Sequence, residues 1–595
     1  PPLPPLPLSL TSFPFPDRTM FESFGPTEFV VIGVGLFLLV SFFGKKQKTA
    51  NGEPVVRAAR ASSASRGLDA DDADEMIEAV IGDAATLLEN ESACEVTIEG
   101  NRILLAKSKG EYFATSAKCP HLGAPLVKGV VSDGRVKCPW HGACFDLGSG
   151  DIEDFPCSDG LHSFPVKVED RQVVIQARRS DLAGKKRVPS MVPAQRRNKD
   201  VTVIVGAGPG GQAAAESLRH FGYTGTILLI GAEPDRPYDR TKLSKAMSSA
   251  PERIALRAPE FYVENAIELM TSHEVTSLDP EAKTLELATG KTISFDNVVI
   301  ATGGTPRSLP IPNFASPNVY QLRVPAEANA IYEQAKGARV VIVGSSFIGM
   351  EAAAAVVARA KSVTVIGMEK QPFERVLGPQ VGAAMRKLHE SKGVDFHMEA
   401  VVKEFQVESE GGPVVRALLS TGAVLEGDLF VVGAGVVPTT GFIKETGGIK
   451  KERDQSIMVD TRMRTAAPGV YVVGDIARFP YHAVGFDTIR VEHYGTAQQQ
   501  GHIAGSNIAQ GDKGLVYENV PFFWTQVFGK SIRYAGHAFM FTDTHVVGNV
   551  DGLDFMVVYG KEGRVDAVVT AGRDPQAAAA AELLRRGLMP KFDEL

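Results

Sequence analysis

V-T-V-I-V-G-A-G-P-G-G (Val201–Gly211) is a β-branched run that breaks into glycines and leads straight into the helix-forming stretch Q-A-A-A-E-S-L. A strand that ends in a glycine turn and opens a helix offers backbone N–H groups and the positive helix end to a phosphate. Glu233 closes the next strand, T-I-L-L-I-G-A-E, where a carboxylate can accept from ribose hydroxyls. Gly206, Gly208, Gly211 and Glu233 therefore read as one dinucleotide site. The pattern recurs in kind as R-V-V-I-V-G-S-S-F-I-G (Arg339–Gly349), with Gly344, Ser346 and Gly349 at the turn and Glu369 closing the following strand. Serine at 346 is small enough to leave the backbone approachable. A carboxylate at 369 favours NADH over NADPH by repelling a 2′-phosphate, and Lys370 beside it weakens that choice. Two such units predict two Rossmann-like α/β lobes, the second inserted within the first.

Upstream, C-P-H-L-G (Cys119–Gly123) and C-P-W-H-G (Cys138–Gly142) supply two thiols and two imidazoles, Cys119, His121, Cys138 and His141. Ligand type alone fits zinc as well as iron. The loops themselves closely resemble those of Rieske domains, which implies a [2Fe–2S] cluster with both cysteines on one iron and both histidines on the other. Relative to high-potential Rieske proteins, Ala124 and Trp140 stand where a disulfide would join the loops. Ala143 and Phe145 stand where hydroxyls would reach the sulfurs. Fewer hydrogen bonds to sulfur imply a lower, ferredoxin-type potential. Cys144 and Cys157 are then spare buried thiols.

V-V-I-A-T-G-G-T-P-R (Val298–Arg307) and T-A-A-P-G-V-Y-V-V-G-D (Thr465–Asp475) resemble the later flavin motifs of the reductases built on two dinucleotide-binding domains. That resemblance implies FAD contacts from Val275, Ala301, Thr302, Gly303, Arg307, Gly435, Gly474 and Asp475, with Asp475 on the ribityl chain. R-P-Y-D-R-T-K-L-S-K (Arg236–Lys245) resembles the segment that brings Arg240 and Lys245 to the flavin. Glu351, in F-I-G-M-E, matches the glutamate that pairs with this lysine, so Lys245 and Glu351 are the expected catalytic pair. V-E-H-Y (Val491–Tyr494) and P-F-F-W (Pro521–Trp524) resemble the segments that close over the ring, with Glu492, His493 and Trp524 as contacts. Phe347 is expected near the nicotinamide face.

Rieske, flavin and nicotinamide motifs in this order, ending in a strand-rich tail, resemble the apoptosis-inducing factor 3-like family over residues 90–595. The resemblance implies a multidomain α/β plus all-β chain, related to bacterial ferredoxin reductases of ring-hydroxylating dioxygenase systems. The expected activity passes electrons from NAD(P)H through FAD to the intramolecular cluster and on to an unknown acceptor. The alternative is a cell-death signalling or partner-binding protein of the apoptosis-inducing-factor type. A disulfide reductase is excluded, because all five cysteines, Cys94 included, precede the first dinucleotide motif. A net charge of −7 gives no reason to expect nucleic acid.

Residues 1–19 are proline-rich and read as lying outside a natural start at Met20, or as a disordered tail. Residues 20–48 read as a membrane anchor: the uncharged run Phe29–Gly44 spans about 24 Å as a helix, and the lysines after it can snorkel. Those lysines would keep the body on the cytosolic side. Animal relatives are associated with mitochondria, so the mitochondrial outer membrane is one expected site. Residues 49–85 read as a linker, 86–180 as the Rieske domain and 181–200 as a basic solvated linker. The flavin lobe is expected over 201–325 and 461–515, the NAD(P) lobe over 326–460, and a C-terminal α+β dimerisation-type domain over 516–595.

Overall fold

The two parallel sheets are built from runs in which nearly every residue is apolar. Val203, Ile204, Val298 and Val299 are wholly buried, as a strand covered by helices on both faces requires. The first sheet orders its strands Ile267–Met270, Thr226–Ile230, Val201–Val205, Asn297–Ile300 and Val470–Val472. The second orders Val319–Gln321, Leu429–Val432, Arg339–Val343, Ser362–Ile366 and Val394–His397. Asn297–Ile300 and Val470–Val472 are neighbours, so the second lobe is inserted between two adjacent strands of the first. The computed structural model describes residues 75–88, 92–195, 197–485 and 487–595.

Before these lobes come, among the described residues, three small antiparallel sheets, and after them a five-stranded antiparallel sheet backed by the helix Gln576–Arg585. The cluster loops belong to the sheet Val130–Ser132, Arg135–Lys137, Cys144–Asp146 and Ile152–Asp154.

Three boundaries differ from the sequence reading. Met76–Asp83, taken as linker, is a strand antiparallel to Gln172–Arg178. Val319–Gln321, taken as flavin lobe, pairs with Leu429–Val432 in the other lobe. The basic connector is mostly exposed but is tied to the cluster domain near its start. Gly160 and Arg187 exchange backbone hydrogen bonds, Arg187 pairs with Asp151, and Lys186 reaches Asp159 at 2.8 Å. Two of its positive charges, Lys186 and Arg187, are met by acids of the cluster domain. The anchor expected over residues 20–48 lies outside the described residues, and among those described no helix is long and apolar enough to cross a membrane.

Candidate active site

The two cluster loops are built alike. Cys119 N–H donates to Ala124 O at 2.9 Å, and Cys138 N–H to Ala143 O at 2.7 Å. Each turn then needs a left-handed residue, supplied by Gly123 and Gly142 (φ 75° and 77°). The geometry brings the four expected ligands together: the histidine Nδ1 atoms lie 3.1 Å apart, and the thiols of Cys119 and Cys138 hydrogen-bond each other. Burial pushes the His121 imidazole down to about 4 and that of His141 to about 2. Two neutral imidazoles and two thiols, closed off by Ala143, Cys144 and Phe145 at 0% exposure, fit a Rieske cluster.

A cavity of roughly 1180 Å³ runs between the two lobes and the last sheet. Its lining includes Gly206, Gly208, Glu233, Arg240, Lys245, Val275, Ala301, Thr302, Gly303, Gly435, Gly474 and Asp475. A Cβ at Gly206 would lie 2.3 Å from Ala301 O, whereas Gly208 faces open space where a phosphate can meet bare backbone. Gly211 is off the lining and serves helix packing, since a Cβ there would sit 1.9 Å from Gly206 O. Burial raises the Asp475 carboxyl, with Arg323 pulling against it. Buried His493 Nδ1 has no hydrogen-bond partner among the described residues, and burial lowers its imidazole to about 3. This mixture of glycine cradle, cations and unmet polar atoms fits a flavin dinucleotide.

Glu233 is already engaged, accepting from Tyr238 Oη and Arg240 at 2.7 Å each. Arg307 departs from expectation: its side chain is exposed and off the cavity, and its backbone is what is used, the N–H donating to Gly435 O and the carbonyl accepting from Gln321 Nε2 at 3.0 Å. The strand Gly304–Pro306 runs antiparallel to Val436–Pro438, and Arg307 emerges beyond the end of that pairing.

Lys245 Nζ donates to Glu351 at 2.7 Å, and Glu351 is 5% exposed. Ser244 Oγ also donates to this carboxylate, as does Thr525 Oγ1 at 2.7 Å from the last sheet. Neither donor was anticipated from sequence. Ser346 and Phe347 line the same cavity, and Phe347 packs on Phe373 and Phe523 with ring centres 5.1 and 4.9 Å apart. Gly344 and Gly349 lie behind the lining, where a Cβ on Gly349 would reach 2.0 Å from Gly344 O. Glu369 is held by Arg375 at 2.8 Å, not by Lys370. Glu492 lines the cavity, exposed, and pairs with Arg490 at 2.7 Å.

Trp524 belongs to both sites. It lines the cavity, and its ring centre lies 4.4 Å from that of His141 and 5.8 Å from that of His121. The second cluster loop is docked around it: Arg533 donates to Trp140 O at 2.8 Å, and Phe522 fills the space a Cβ on Gly142 would need.

The chain matches the pyridine nucleotide-disulphide oxidoreductase family model over residues 200–501 and the Rieske [2Fe-2S] domain model over 78–165. Apoptosis-inducing factor 3 of Mus musculus is 38% identical over 505 residues, covering 84% of this chain and 83% of that protein. The chain belongs to the apoptosis-inducing factor 3 family. A member of this family also shares its reductase part with bacterial enzymes. The benzene 1,2-dioxygenase system ferredoxin–NAD(+) reductase subunit of Pseudomonas putida is 32% identical, covering 66% of this chain and 94% of that protein. Putidaredoxin reductase, solved in its covalent complex with putidaredoxin, aligns with a TM-score of 0.62 at 28% identity, covering 65% of this chain and 94% of that one. The protein is a ferredoxin-reductase-like NAD(P)H oxidoreductase fused to a Rieske domain, using FAD and a [2Fe–2S] cluster.

Arg323 and Arg490 were missed by sequence reasoning. The guanidinium of Arg323 lies beside Gly303 and Asp475, and Arg490 bonds Asp475 O at 3.0 Å. Neither sits in a glycine or strand pattern, so no local signal points to them.

Proposed function

We propose that the enzyme passes electrons from NADH through its flavin to its own cluster, and from there to a separate acceptor. When bound, FAD takes up hydride and releases electrons singly, and the cluster carries one electron at a time. The observation that carries this reading is Trp524, one indole that lines the dinucleotide cavity and packs on a cluster-ligand imidazole. Lys245, fixed by Glu351, supplies a positive charge at the cavity wall where a reduced ring gains negative charge. The glutamate in turn is fixed by Ser244 and Thr525, so the ammonium is held in place before any ligand binds. Glu369 supports the choice of NADH, with Arg375 reducing its free charge.

The test is anaerobic stopped-flow reduction by NADH, following flavin bleaching and the cluster signal separately. Trp524→Leu should slow cluster reduction at least about tenfold relative to flavin bleaching in the same variant, so any effect of the lost indole on the cavity itself is divided out. Cluster reduction at the unchanged rate would refute an intramolecular path at this contact.

A further inference from the structure

The two cluster loops are not equivalent in their surroundings. The second loop is sealed against the reductase by Arg533, Phe522 and Trp524, with His141 the nearer ring to the indole. The first loop is not sealed. Lys118 and Gly123 are exposed, and Leu122, the residue after the ligand His121, is 50% exposed. A half-exposed leucine beside a ligand histidine places apolar surface one residue from the cluster.

The cluster domain is also fixed in this orientation. Lys137 is buried between Asp154 of its own domain and Glu582 of the C-terminal helix, 3.4 Å away. Arg257 of the flavin lobe reaches Asp159 at 2.6 Å and the Ser158 carbonyl at 2.6 Å. These contacts hold both faces of the docked domain, so the His141 side stays turned inward. An acceptor approaching from solvent then meets the first loop.

Two lysines and one acid set the charge around that loop. Lys118 precedes the ligand Cys119, and Lys242, which acts electrostatically on both histidines, flanks it from the reductase side. Neither lysine enters an ion pair among the described residues. Asp239 opposes them and acts on His121 more strongly than Lys242 does, while also accepting from Thr241 N–H and Oγ1, so the acceptor meets two lysines against one acid.

We infer that the first cluster loop, with Leu122 at its centre and Lys118 and Lys242 at its rim, is the electron exit, and that it receives an acidic electron-carrier protein. His141 is then the entry side of the cluster and His121 the exit side. This rests on the intramolecular path proposed above. NADH supplies two electrons, two oxidised carriers take one each in turn, and NAD+ and one proton are released. An apolar centre with charges at its rim suits a short-lived complex that forms fast and dissociates between the two transfers.

The experiment uses the full holoprotein with the soluble domain of cytochrome b5 as acidic one-electron acceptor and cytochrome c as basic counterpart. Binding is measured by calorimetry with both proteins oxidised, and acceptor reduction by stopped flow. The wild type should bind cytochrome b5 more tightly than cytochrome c, and more weakly as salt rises. Lys118→Glu/Lys242→Glu and, separately, Leu122→Asp should each weaken that binding and lower kcat/KM for cytochrome b5 by about tenfold or more. In the same variants NADH should still reduce the cluster within about twofold of wild type. Tighter binding of cytochrome c, no binding of cytochrome b5, or cytochrome b5 reduction unaltered in both variants would overturn the exit surface. Failure of NADH to reduce the wild-type cluster would instead overturn the intramolecular path, so the two readings fail separately. The redox midpoint of each variant cluster, read by EPR titration, distinguishes lost docking from a shifted potential, and a shift that accounts for the whole loss also counts against the exit surface.

Discussion

Replacing Lys137 with methionine should loosen the cluster domain from the reductase. The residue is 2% exposed, and its ammonium joins Asp154 to Glu582, two carboxylates within 4.8 Å of each other and of Cys144. At 3.4 Å the attraction to Glu582 alone is about 5 kcal/mol at an effective dielectric of about 20. Desolvation cancels part of it, and removing one partner of such a buried pair leaves a net loss of about 3–5 kcal/mol. Burial acts to raise the Asp154 carboxyl, and Lys137 first, then Arg135, outweigh it and hold the group at about 2. Without the ammonium only Arg135 and the Asn519 amide oppose burial and the facing acid, and the expected outcome is a folded-state pKa raised past the unfolded value. A group raised in this way favours the fold at low pH and loses that contribution as pH climbs. The deficit of Lys137→Met should therefore be smallest near pH 5 and largest near pH 8. Urea unfolding read by the visible circular dichroism of the cluster and by flavin fluorescence separates the two domains. A deficit below about 1 kcal/mol, the scale of a surface pair, or one equal at both pH values, would refute the reasoning.

Cys138→Ser should abolish the cluster EPR signal and acceptor reduction while flavin reduction by NADH persists; parallel loss of both would show that the centres do not work as separate modules. Wild-type kcat/KM should favour NADH over NADPH by at least about tenfold, roughly 1.4 kcal/mol. Arg375→Ala, which frees Glu369, should widen that ratio, and an unchanged ratio would place the ribose elsewhere. The cluster should have a low midpoint, since Ala143 and Phe145 give the sulfurs no hydroxyl donors; voltammetry showing a value above about +100 mV at pH 7 would contradict this.

What could be read from the chain alone is what nearby residues do to one another. Cys119, His121, Cys138 and His141 stand in two short loops whose turns are set by Gly123 and Gly142, so the ligand set is local. The same holds for the two glycine turns, where Gly211 is wedged against Gly206 O and Gly349 against Gly344 O within one strand–turn–helix unit. The alternation of apolar runs and helices likewise implied the two parallel sheets, one inserted in the other.

What the tertiary structure decided is everything that joins distant segments. Trp524 reads from sequence as a flavin neighbour, and only packing sets it against His141 as well. The lock between Lys137 and Glu582, the grip of Thr525 on Glu351, and Arg375 on Glu369 leave no periodic trace, because each depends on where separately folded sheets come to rest. Local geometry repeats along a chain and can be recognised there. A docking contact is made once, between surfaces whose neighbours are chosen by burial and charge pairing in three dimensions.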